Sequence, residues 1–218
     1  MLMWPVSSLG WVASMIQRAA ASQKRIDEFL HYEPEIKQNI GLEKKIKGEI
    51  VFEKVSFTYP DTGIRALKDV SFKLNAGERI AIIGRTGSGK TTIADLIMRM
   101  NDVISGKILI DGTDISEYKI NSLSTQTGFV PQDVFLFSET ITENISFGLE
   151  QIDKTEATRF ANHASIAKEI ESFPKGYDTL VGERGVTLSG GQKQRISIAR
   201  SLIKKPNVLL LDDCLSAV

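Results

Sequence analysis

Apolar positions divide the chain into stretches of different period. Before residue 17, Met1, Leu2, Met3, Trp4, Val6, Leu9, Trp11, Val12, Met15 and Ile16 have no charge between them, and Arg18, Lys24 and Arg25 come only afterwards. A bilayer span takes about 20 consecutive apolar residues, so this stretch is too short to cross alone. A secretory leader would carry its basic residues first, and here they come last. That order, with Trp4 and Trp11, fits the cytoplasmic end of a membrane helix. A soluble amphipathic helix packed on a domain is the other reading. The polar run 33–47, with Pro34 and mixed charges, reads as a solvated linker. The chain thus divides into residues 1–32, a linker 33–47, and a domain from 48 to 218.

From Gly48 the period becomes two. Ile50 and Phe52, then after a break Val55, Phe57 and Tyr59, alternate with polar residues, and 60–63 turns the chain. A second strand spans Val70 to Leu74, and the turn 75–78 leads into the apolar run 79–83. Helical spacing follows from Thr92 to Met100, then a short strand and tight turn over 107–112, and a strand at Phe129-Val130. Residues 142–171 hold helical patterns that 173–176 interrupts, and 192–204 is a helix. Val208 to Leu211 is apolar on both faces, as a central parallel strand requires.

Between the run 79–83 and the helix lies Gly84-Arg85-Thr86-Gly87-Ser88-Gly89-Lys90-Thr91. This is G-x-x-x-x-G-K-[ST] in its proper setting of strand, glycine loop and helix. Glycines let consecutive N–H groups turn inward and the helix adds its positive end, so a polyphosphate meets donors and a favourable dipole together. Lys90 suits the β- and γ-phosphates, and the Thr91 hydroxyl suits Mg²⁺.

Composition adds mainly exclusions. The chain has 218 residues, 42% hydrophobic and 25% charged, with 27 basic and 27 acidic side chains. That is enough for one core, and there is no net field to draw nucleic acid. Cys214, the single cysteine, excludes an internal disulfide. No cysteine–histidine spacing suggests a structural metal, so a metal is expected to arrive with the nucleotide.

Two further motifs follow. Asp212, at the end of the apolar run 208–211, occupies the position of the carboxylate that helps hold Mg²⁺ in P-loop ATPases. Asp213 beside it can accept a proton from attacking water. Leu188-Ser189-Gly190-Gly191-Gln192 opens the helix before it and forms a second anion site from a serine cap, exposed N–H groups and a helix dipole.

That segment, placed between the glycine loop and Asp212, resembles the signature of ABC ATPases, and the resemblance runs from about Ile50 to the last residue. It implies an α/β P-loop fold with a mainly parallel core sheet, an antiparallel β subdomain and an α-helical subdomain between about 140 and 175, preceded by an N-terminal helix. It implies ATP and Mg²⁺ as ligands. Gly84, Arg85, Thr86, Gly87, Ser88, Gly89, Lys90, Thr91 and Thr92 would hold phosphate, and Tyr59 would stack on adenine. Thr91, Gln132 and Asp212 would serve the metal, while Gln132, Lys90 and Asp213 would serve the chemistry. Ser189, Gly190, Gly191 and Gln192 would cover the ATP of a second nucleotide-binding domain, in a homo- or heterodimer. Residues 179–185 are similar to the exporter segment that touches the intracellular helices. Residues 1–30 look like the final membrane helix of an exporter in the cell (inner) membrane, with the nucleotide domain cytoplasmic. Leu215 to Val218 resembles the start of the next loop, so the chain is expected to be a fragment ending before the aspartate of that loop and the switch histidine.

One departure bears on function. The exporter pattern has glutamate where this chain has Asp213. Losing a methylene withdraws the carboxylate by about 1.5 Å, and a misplacement of that size can cost ~10²-fold in rate. The expectation is ATP hydrolysis driving export of an unidentified substrate. The alternatives are a degenerate, mainly ATP-binding half of a heterodimeric exporter, or a soluble ABC ATPase subunit.

Overall fold

The computed structural model describes residues 3–32, 36, 41–182 and 188–214. Most of the linker (33–35 and 37–40), the stretch 183–187 within and after the exporter-like segment, and Leu215 to Val218 lie outside the described residues. The chain forms two compact units, Met1–Lys37 and Gln38–Val218.

The first unit is one helix, α1 (Met3–Leu30). Trp4, Leu9, Trp11, Ile16 and Phe29 are exposed on it. No described helix is long and apolar enough to cross a membrane.

The second unit begins with segment 41–49, which is hydrogen-bonded to its own unit although its charges read as solvated. Leu42 N–H donates to Glu117 O and Leu42 O accepts from Lys119 N–H, at 2.7 and 3.0 Å. Ile46 is fully buried. The Asp111 carboxylate accepts from the consecutive N–H groups of Lys47, Gly48 and Glu49. Gln126 and Asn207 add bonds to the main chain of Lys44 and Ile46, so side chains from distant segments dock a charged stretch.

β1 (Ile50–Thr58) pairs antiparallel with both β2 (Arg65–Leu74) and β3 (Ser105–Ile110). The break in alternation after Phe52 is a bulge: Lys54 has φ 48°, and the register shifts between Phe52 and Val55. The extra residue returns Val55 and Phe57 to the buried face of Ile50 and Phe52. β3 turns at Asp111-Gly112, both at positive φ, the pairing a two-residue hairpin favours, into the short β4 (Thr113–Asp114). This four-stranded sheet has order β2-β1-β3-β4. Against it pack Ile93 and Leu96 of α2 (Lys90–Ile97), Tyr118, and Leu123 of α3 (Ile120–Gln126).

The parallel part of the fold is β5 (Thr127–Val130) beside β6 (Val208–Leu211). The run 79–83, expected as a central strand, belongs to neither sheet, and Ile80, Ile82 and Ile83 are 48, 41 and 93% exposed. An apolar pattern states which faces should be covered but not which strand supplies the hydrogen bonds, and no described strand pairs with this run.

The helical subdomain contains α4 (Ile141–Ser146), α5 (Lys154–His163), α6 (Ala167–Ser172) and α7 (Gly190–Ile203). Ile141, Ile145, Phe160, Ile170, Ile196 and Ile203 share its separate core. Arg200 on α7 ties it to the loop after Gln132. Its guanidinium donates to Phe135 O and to Asn144 O and Oδ1 at 2.7–2.9 Å, and lies over the Phe137 and Phe147 rings. Burial pushes its pKa down to about 10.

Candidate nucleotide site

The glycine loop makes a sharp turn into α2. Gly87 and Gly89 have φ 79° and 86°, left-handed values that glycine adopts without steric cost. Gly89 caps α2, and a Cβ there would lie 2.6 Å from Ala66 O and 2.8 Å from Leu67 Cδ2. Only glycine lets the loop lie this close to β2. Lys90 Nζ donates to Gly84 O and Arg85 O at 3.0 and 3.1 Å. Its ammonium is therefore held over the loop that a polyphosphate would enter.

Thr91 and Asp212 are 121 positions apart, yet Thr91 Oγ1 donates to Asp212 Oδ2 at 2.7 Å. Asp212 is buried at the end of β6. Burial and the Asp212 charge both push the Asp95 carboxyl up. Asp95 is one turn beyond Thr91 on α2, so the two share a helix face. A hydroxyl and a carboxylate meet here, and Asp95 lies near enough to feel the Asp212 charge. Hard oxygen donors of this kind fit Mg²⁺.

Asp213 follows at φ 49°, a region aspartate tolerates better than most residues. Gln132 Nε2 donates to Asp213 Oδ2 at 3.4 Å, so these two predicted partners in the chemistry lie side by side. Burial pushes the adjacent Cys214 thiol up. Tyr59 reaches α2 from the end of the first hairpin: its hydroxyl is 2.9 Å from Thr92 Oγ1, and its ring meets Phe57 edge-on.

The expected signature residues form a second cluster at the start of α7. Ser189 is the N-cap: its Oγ accepts from Gln192 N at 3.2 Å, and Gln192 Oε1 accepts from Ser189 N at 2.9 Å. The serine cap was expected from the sequence, and the reciprocal bond from Ser189 N to Gln192 makes it a capping box. A Cβ on Gly190 would meet nothing within 4 Å. Among the described residues, no hydrogen bond or ion pair joins this cluster to Gly84–Thr91.

Sequence reasoning missed two neighbours of these sites. Asp95 could have been found from its i, i+4 relation to Thr91. Glu169 contacts Gln192 and Arg195 from another helix, which no spacing along the chain reveals.

The sequence of residues 67–216 matches the ABC transporter family. The chain belongs to that family. An ATP-binding domain is what that family implies. The chain is 47% identical over 216 residues to the ATP-binding/permease protein YgaD of Bacillus subtilis, covering 98% of this chain and 37% of that protein. It is 39% identical over 218 residues to an ATP-dependent lipid A-core flippase of Photobacterium profundum, covering all of this chain and 37% of the flippase. The structure of a bacterial Atm1-family ABC exporter with ATP bound superposes with a TM-score of 0.88 at 40% identity, covering all of this chain and 38% of the exporter. The chain therefore spans under two fifths of the length of these relatives.

Proposed function

We propose that the chain is the ATP-hydrolysing part of an ABC exporter, with residues 1–32 the cytoplasmic end of its last membrane helix, 33–47 a connection and 48–218 the nucleotide-binding domain. The contact between Thr91 and Asp212 carries this reading, because it joins the phosphate loop to the acid at the end of β6.

Gly84 to Thr92 cradle the phosphates, and Lys90 exchanges its carbonyl partners for phosphate oxygens, a stronger charge-assisted bond. Tyr59 offers a ring to adenine. Thr91, Asp212 and Gln132 would hold Mg²⁺, which supplies neutralisation of phosphate charge. Gln132 orients the attacking water and Asp213 accepts its proton. Ser189, Gly190, Gly191 and Gln192 cover the ATP bound by a second nucleotide-binding domain. Hydrolysis separates the two domains, and this motion passes to the membrane part to move a substrate.

A second reading is favoured by Asp213. With the shorter acid, the site binds ATP and hydrolyses it slowly, as one half of a heterodimer. The test is ATP turnover of the complete protein in lipid, with any partner's catalytic carboxylate disabled. Asp213→Glu is expected to raise turnover at least several-fold at nearly unchanged ATP affinity, and Asp213→Asn to abolish it. Equal turnover in all three forms would refute Asp213 as the base.

A further inference from the structure

The Gln192 amide is held at both ends. Its Oε1 accepts from Ser189 N at 2.9 Å, and its Nε2 donates to Glu169 Oε2 at 3.0 Å. Turned over, the amide would set N–H against N–H at Ser189 and carbonyl against carboxylate at Glu169. A side-chain amide has little preference of its own between these orientations, so Ser189 N–H and Glu169 on α6 set it together. The choice fixes the reciprocal half of the cap, the bond from Ser189 N, while Ser189 Oγ accepts from the main-chain N of Gln192. With that lone pair used, the hydroxyl proton is free to donate to an oxyanion at the helix start.

A carboxylate near a helix N-terminus would also repel an anion arriving there. Arg195, one turn into α7, offsets this charge: its Nη2 lies 2.5 Å from Glu169 Oε1. The two Glu169 oxygens therefore have separate tasks, one orienting Gln192 and one paired with Arg195.

We propose that Glu169 is a positioning residue for the second anion site, holding the amide of Gln192 and with it the reciprocal bond from Ser189 N, while Arg195 keeps that carboxylate from opposing the bound phosphate. This rests on the reading of Ser189–Gln192 as the site that covers ATP in a paired domain.

The two tasks separate in kinetics. Glu169→Ala leaves the Gln192 amide held at Ser189 N alone and removes the carboxylate that Arg195 pairs with. Loosening one hydrogen bond of the capping box is worth about 0.5–1.5 kcal/mol, so kcat falls about two- to ten-fold, while KM for ATP stays level or drops. Arg195→Ala leaves the carboxylate facing the anion, and KM rises about two- to five-fold, the range for a single charge at a helix N-terminus. Glu169→Gln keeps an acceptor for Gln192 Nε2 and restores kcat toward that of the unaltered protein.

The experiment is steady-state ATPase kinetics of the complete protein in lipid vesicles for these three variants, with Lys90→Ala alongside and thermal unfolding of each. Opposite movements of kcat and KM in Glu169→Ala and Arg195→Ala, with rescue by Glu169→Gln, support the proposal. Parallel losses that follow the unfolding midpoints, or no change in kcat for Glu169→Ala, overturn it. Turnover that survives Lys90→Ala would instead overturn the reading of the ATP site itself.

Discussion

Gly87 and Gly89 share a left-handed backbone but not the same surroundings, so alanine at each separates conformational from packing costs. At Gly87 (φ 79°) nothing lies within 4 Å of a new Cβ, and the cost is that of left-handed backbone, about 1–2 kcal/mol. At Gly89 (φ 86°) the same cost applies, and the Cβ also meets Ala66 O at 2.6 Å and Leu67 Cδ2 at 2.8 Å. Ala66 O is main chain in β2 and cannot swing aside, so relief requires the loop to move. Overpacking of this kind costs about 1–3 kcal/mol more, for a total of about 2–5 kcal/mol. Because Gly89 caps α2, the shift carries Lys90 and Thr91 with it. The assay is denaturant unfolding together with ATP titration, on the complete protein with each substitution. Gly89→Ala is expected to be the less stable by about 1–3 kcal/mol and to bind ATP the more weakly. Equal effects at the two positions would refute the argument that close approach to β2 explains Gly89.

Thr140 caps α4 in a reciprocal box with Glu143, and Thr140→Ala is expected to cost about 1 kcal/mol in unfolding free energy. Hydrogen bonds from Thr140 hold the Glu143 carboxyl below its ordinary 4.5. Its contribution is therefore complete above pH 4.5 and disappears as pH falls through the lower folded value, which acid titration of the unfolding midpoint, with and without Glu143→Gln, would show. Arg200→Lys keeps the charge but not the planar fork that reaches Phe135 and Asn144. It should lower stability by about 2 kcal/mol in the same unfolding assay. Cys214 is buried with its thiol pushed up, so at pH 8 it should alkylate more slowly than a free thiol and at the ordinary rate in denaturant.

What the sequence revealed followed from distance along the chain. Gly84 to Thr91 and Ser189 to Gln192 are contiguous, and each folds into the local geometry its residue types require. The break after Phe52 could be read because a bulge is a local event. Val208 to Leu211 was legible as a parallel strand but not in its place: among the described residues it pairs with β5 alone and leaves Leu209 and Leu211 40 and 54% exposed, so it is not the covered central strand its apolar faces announced. Contacts between distant residues were not legible as geometry: Thr91 with Asp212, Asp111 with the backbone at 47–49, Glu169 with Gln192. Helix α3 escaped because Ile120–Gln126 is mostly polar and buries little beyond Leu123. The run 79–83 shows the converse limit, since its isoleucines announce a strand without naming the strand it should pair with.

The central claim is that Lys90 binds the phosphates of ATP while Tyr59 supports the base. ATP titration of the complete protein carrying Lys90→Ala or Tyr59→Ala tests it most directly. Loss of a charge-assisted bond to phosphate, about 1.5–3 kcal/mol, weakens binding roughly 10- to 150-fold. Loss of stacking, about 0.5–1.5 kcal/mol, weakens it roughly 2- to 10-fold. A clearly larger loss for Lys90→Ala than for Tyr59→Ala is the predicted result; equal losses, or unchanged affinity without Lys90, would contradict it.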